Sequence, residues 1–92
     1  MTYSYEFTEP ALKQFQQLEP WLAEETLDEL ETLAVVSPTA HRRLTNRFVH
    51  DFVRIRGAST LYVFLTIVRD RANQKLRVMD VGTYVRGVSD EP

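Results

Sequence analysis

The spacing of apolar residues changes period once along this chain, and that change limits the possible folds more than any other feature. Between Thr8 and Ala34 apolar residues recur every three or four positions, the repeat of one face of an α-helix. From Arg47 onward they alternate, the repeat of a strand with one buried face. A chain patterned this way separates its helices from most of its strands, which is an α+β arrangement.

The details fill in six elements. Tyr3, Tyr5 and Phe7 alternate with Ser4 and Glu6, which predicts a short opening strand. Thr8-Glu9-Pro10 reads as a helix start, with a capping hydroxyl and a proline in the first turn. Ala11, Leu12, Phe15 and Leu18 follow at helical spacing, and Pro20 ends this helix near Leu18. Pro20 also suits the first turn of a second helix, whose apolar stripe is Ala23, Leu27, Leu30 and Ala34, widened by Leu33. Glu24, Glu25, Asp28, Glu29 and Glu31 cover its other faces. So short a junction predicts an antiparallel helical hairpin. Val35 to Thr45 is a connection broken by Ser37-Pro38. Arg47 to Arg56 is a strand, Gly57-Ala58-Ser59 a turn, and Thr60 to Val68 the most apolar strand, expected at the centre of the sheet. Asp70 to Gln74 is a hairpin loop. Leu76 to Val81 is the last strand, ending at Gly82, with Tyr84-Val85-Arg86 either extending it or fraying. The expected fold is β-α-α-β-β-β: one domain over 1–92, with an N-terminal helical hairpin packed on a mostly antiparallel twisted sheet.

Composition removes several classes of function. The chain has 92 residues, 43% of them apolar, which suits one globular domain. It has no cysteine, so it has neither a disulfide framework nor a thiolate metal site, and a reducing compartment is favoured. The first residues lack the basic and apolar regions of a secretory signal. The longest apolar stretch, Leu61 to Val68, is interrupted by Thr66 and falls far short of the ~20 residues of a membrane helix. The expectation is a soluble cytoplasmic protein with no membrane partner. No metal or cofactor is expected: the histidines stand in no metal-ligand spacing, and three scattered glycines make no phosphate loop.

Charge is divided unevenly. Residues 1–38 hold eight acids and one base, and residues 39–92 ten bases and five acids. Such a split marks either a polyanion site or two halves of one fold that attract each other. The candidate site is a basic face on the strands. Arg54 and Arg56 leave the same side of one strand, and His50 shares it by parity. Arg77 and Arg86 come from later strands, and Tyr84 adds an aromatic ring. Guanidinium groups bind phosphates bidentately and a ring among them can stack on a base, so this set suits an RNA backbone. The plainer reading is a solvated sheet face. His50 is then a surface strand residue, His41 beside Arg42 and Arg43 a loop residue, and Trp21 a packing residue of the hairpin.

The element order and several segments together resemble the RelE/ParE superfamily of toxin–antitoxin toxins. The segments are Tyr3-Ser4-Tyr5-Glu6-Phe7, the helix pair with Leu12, Phe15, Leu18, Leu27, Leu30 and Leu33, Arg54-Ile55-Arg56-Gly57, and Val78-Met79-Asp80-Val81-Gly82. The resemblance spans Tyr3 to Arg86. It implies one of two activities: cleavage of mRNA on the ribosome, as an endoribonuclease of the RelE kind, or non-catalytic binding, either of DNA gyrase as in the ParE kind or of an antitoxin by a toxin fold that has lost RNase activity. It also implies a cognate antitoxin protein as partner. Under the first activity Arg54, Arg56 and Arg86 would stabilise charge, Tyr84 would stack, and His50 would move a proton. The chain departs from the family pattern at two places. Ser59-Thr60 stands where an arginine is frequent, and Thr83-Tyr84 follows Gly82 where a basic pair is frequent.

Overall fold

A computed structural model of the chain describes residues 3–35 and 46–87, the last three as backbone alone. The elements are β1 (Ser4–Phe7), α1 (Glu9–Gln16), α2 (Pro20–Ala34), β2 (Arg47–Arg56), β3 (Ser59–Asp70) and β4 (Lys75–Gly87). The expected order β-α-α-β-β-β is the observed one. His41, Arg42, Arg43 and most of the expected connection lie outside the described residues.

Local chemistry sets the helix starts. Thr8 is extended and caps α1, its Oγ1 accepting from the Ala11 N–H at 3.3 Å. Glu19 precedes α2, and its carbonyl accepts from the N–H groups of Leu22 and Ala23. Proline stands in the first turn of both helices, where its missing N–H has no intrahelical partner to lose. The buried row of α2 is Leu22, Thr26, Leu30 and Ala34, one residue round from the expected stripe. Ala23, Leu27 and Leu33 are only half-buried. Thr26 can enter the core because its hydroxyl donates to the Leu22 carbonyl at 2.8 Å.

The strands form one sheet in the order β1-β4-β3-β2. β2, β3 and β4 are an antiparallel meander, and β1 joins the far side of β4 in parallel, with Phe7 opposite Val78. β2 and β3 turn through Gly57-Ala58, where Gly57 has φ +62, a left-handed backbone that glycine adopts without Cβ strain. β4 continues through Gly82 to Gly87 because β3 is long enough to pair with all of it. Between Thr66↔Asp80 and Ile67↔Val78 the register slips, leaving Met79 without a partner. This bulge lets both Val78 and Val81 face the helices. The core lies between that face and the hairpin: Phe52, Val63, Leu65, Ile67, Leu76, Val78 and Val81 meet Ala11, Leu22, Leu30 and Ala34. The other face of the sheet is open among the described residues. No helix among them is long and apolar enough to cross a membrane.

Candidate functional site

Alternation along β2 divides its side chains into two rows. Phe48, His50, Phe52, Arg54 and Arg56 project toward the helices, while Val49, Asp51, Val53 and Ile55 project to the open face. Phe52, buried in the core, fixes which row is which.

The basic row of β2 therefore lies under α2, and the acids of α2 meet it. Arg54 Nε is 3.3 Å from Glu25 and its second guanidinium nitrogen 3.8 Å from Glu29. The same guanidinium lies over the Phe52 ring at 4.9 Å and donates to the Val53 carbonyl at 2.9 Å. His50 Nε2 stands 3.8 Å from Glu29, too far for a hydrogen bond. At the other end Arg56 reaches Glu19 at 3.4 Å and covers the Trp21 ring at 5.0 Å. Trp21 Nε1 donates to the same Glu19 oxygen at 2.7 Å. Three carboxylates of the hairpin thus face three bases of the edge strand. Of the two meanings of the charge split, attraction between the halves accounts for these residues.

Tyr84 stands on the opposite face. It pairs with Tyr62 across β3 and β4, and the rings stack at 4.7 Å with 5° between their planes. Phe64 lies beside them directly over Gly82, so that a side chain on Gly82 would overlap its ring. Val49, Val53, Ile55, Phe64 and Tyr84 are all exposed there. The backbone of Arg86 pairs with that of Thr60, and its side chain lies outside the described residues. Arg77, also on the open side, is engaged by Glu6 at 3.7 Å together with Lys75 at 3.6 Å.

The expected single basic face is therefore corrected. His50, Arg54 and Arg56 gather on the helix side, and Tyr84 stands apart from them across the thickness of the sheet. Parity groups residues of one strand but does not say which face the helices take. The bulge at Met79 further shifts the relation between early and late β4. Sequence reasoning missed Glu19, Glu25 and Glu29 as partners of the bases. The charge split carries the signal, since it suits two halves that attract each other, but it does not say which acid meets which base. Tyr62 and Phe64 stand in the most apolar strand, and its expected central place in the sheet does not tell that one of its faces is open among the described residues. Among the described residues no three metal-ligating side chains come together.

No family model matches the chain, and no curated protein matches it. Solved structures do. The intact E. coli RelBE toxin–antitoxin complex matches with a TM-score of 0.61 and 22% identity, over 87% of this chain and 94% of that one. A doubly substituted E. coli toxin RelE in the free state matches with 0.64 and 20%, over 89% and 83%. The archaeal RelE–RelB complex from Pyrococcus horikoshii matches with 0.54 and 15%, over 88% and 93%. A helical hairpin on one face of a four-stranded mixed sheet, aligned along nearly the whole length of both chains, gives this protein the fold of the RelE toxins.

Proposed function

We propose that this chain is the toxin of a toxin–antitoxin pair, that a cognate antitoxin protein holds it in check, and that it acts by binding its target rather than by cutting RNA. The pairing is supported by the RelE fold and by the two matched structures that are toxin–antitoxin complexes. The non-cutting mode is supported by one observation: the open face around Tyr84 presents Val53, Ile55, Thr60, Tyr62 and Phe64, while Arg54, Arg56 and His50 face α2. Attack of a ribose 2′-OH on a phosphate needs a proton acceptor and charge-stabilising donors around that one phosphate. The described side chains next to Tyr84 include no cation and no imidazole; the polar groups there are the hydroxyls of Thr60 and Tyr62, with the Asp51 carboxylate beside Tyr62. A gyrase-like protein target of the ParE kind fits such a surface better than mRNA.

RNA cleavage is the second reading, favoured by the stacked Tyr62–Tyr84 pair. Two exposed rings of this kind are a platform for an unpaired base, and backbone position 86 is next in the same row. Inducing the chain in cells without its antitoxin separates the readings. Binding predicts growth arrest with mRNA 5′ ends unchanged. Cleavage predicts new 5′ ends that vanish with Tyr84→Ala and persist with Arg54→Ala. Absence of growth arrest, with the folded protein present, would sink both.

A further inference from the structure

Where the α1–α2 junction meets the β2–β3 turn there is a cleft of about 470 Å³ lined by Glu19, Trp21, Arg56, Ser59 and Leu61. Its chemistry is mixed in an ordered way. Trp21 and Leu61 are half-buried against the core and supply an apolar wall. Arg56 and Ser59 are direct cross-strand partners and supply donors beside it. Leu61 follows Ser59 by two positions, on the same side of β3. Arg56 is held in place by the Trp21 ring, yet among the described residues its carboxylate contact is a long one, at 3.4 Å to a glutamate that is itself 70% exposed. A pairing of that kind is weak and leaves most of the five guanidinium donors available. Glu19 accepts firmly from Trp21 instead, at 2.7 Å.

We infer that this cleft captures the C-terminal carboxylate of a peptide whose last residue is aliphatic. The carboxylate meets Arg56 and the Ser59 hydroxyl, the side chain lies on Trp21 and Leu61, and Glu19 accepts from the last peptide N–H. The spacing is what selects a chain terminus. The Arg56 guanidinium lies 5.0 Å from the centre of the Trp21 ring and Ser59 is two positions from Leu61, so a carboxylate and an aliphatic group borne on one carbon reach donors and wall together. A terminal residue meets that condition. A glutamate side chain carries its carboxylate at its own far end, away from the neighbouring aliphatic group. Charge-assisted bonds to a guanidinium and capture of a terminal carboxylate are established recognition chemistry. The inference stands on the cleft alone and does not require the toxin reading.

Trp21 is the only tryptophan of the chain, so its fluorescence reports the site directly. The probes are acetyl-Gly-Gly-Leu with a free carboxylate, the same peptide amidated, and amidated acetyl-Gly-Leu-Glu. The free acid is expected to shift the Trp21 emission saturably and to bind about tenfold or more tightly than either amide. Arg56→Gln should remove that advantage. Amide shifts of Ser59 and Leu61 in the unaltered protein give a second readout that needs no variant. Equal binding of acid and amide, or no response in either readout, overturns the site. Equal binding of the glutamate peptide and the free acid overturns the assignment to a chain terminus.

Discussion

At single residues, two contacts carry more than their surroundings suggest. Gly82 lies under the Phe64 ring, so Gly82→Ala forces that ring to move. Phe64 is exposed and meets Gly82 with the far end of its ring, so the ring can swing off its rotamer at a cost of about 0.5–1.5 kcal/mol. The cost should fall sharply in a Phe64→Ala background, which chemical denaturation of the four proteins of the cycle would show; an unchanged cost would place the clash elsewhere. Asp70 closes the β3–β4 turn by accepting from the Asn73 backbone N–H at 3.1 Å and from its side-chain amide at 2.8 Å. The Asn73 side-chain and backbone bonds hold the Asp70 carboxyl below its ordinary value. In the acid window the unfolded chain therefore takes up this proton first. The turn's contribution is complete above the unfolded value and is lost as pH falls through the lower folded one. Asn73→Ala should raise the Asp70 midpoint toward an ordinary aspartate, followed by carboxyl NMR, and an unmoved midpoint would remove Asn73 as the cause.

At the level of elements, the contact between α2 and β2 is made by long charged side chains over Phe52. A double-mutant cycle on Glu25→Gln and Arg54→Ala should return a coupling of about 0.5–1 kcal/mol that shrinks in high salt. A coupling near zero would mean that the pair adds nothing and that Arg54 stabilises through its contact with Phe52 instead. Most elements were legible in the sequence, because each has a cap, a breaker or a clear period: Thr8 and Pro10 at one helix, Pro20 at the next, Gly57 at the first hairpin. The buried row of α2 was not, because Thr26 counts as polar until its hydroxyl is seen to bond the Leu22 carbonyl. The reach of β4 to Gly87 is not legible in the sequence, since only pairing with β3 decides between a strand and a frayed end. For the candidate site, parity correctly grouped His50, Arg54 and Arg56. It could not bring Tyr84 to them, because a period of two defines two faces and says nothing of which one a helix will cover.

At the scale of the whole molecule, the helices cover one face of the sheet, and among the described residues nothing covers the other. Ile55 is 76% exposed and Val53 45%, and neither supports the core. Val53→Lys with Ile55→Lys should therefore leave the thermal midpoint within a few degrees, since surface changes away from packed features stay near ±0.5 kcal/mol each. Under the proposed toxin reading, the same pair is expected to weaken co-purification with the proposed antitoxin. Retained co-purification would move the contact to the hairpin.

The parallel pairing of β1 with β4 has a consequence for the order of events during synthesis. Thr8 bonds the carbonyl of Val78, 70 positions later, so β1 is made long before the strand it joins. Local elements such as the helical hairpin and the β2–β3 turn can form early, whereas closing so long a loop is slow. Until residues near Val78 have been synthesised, Tyr5 and Phe7 have no strand to join, and a nascent chain of this protein holds an aromatic segment in waiting.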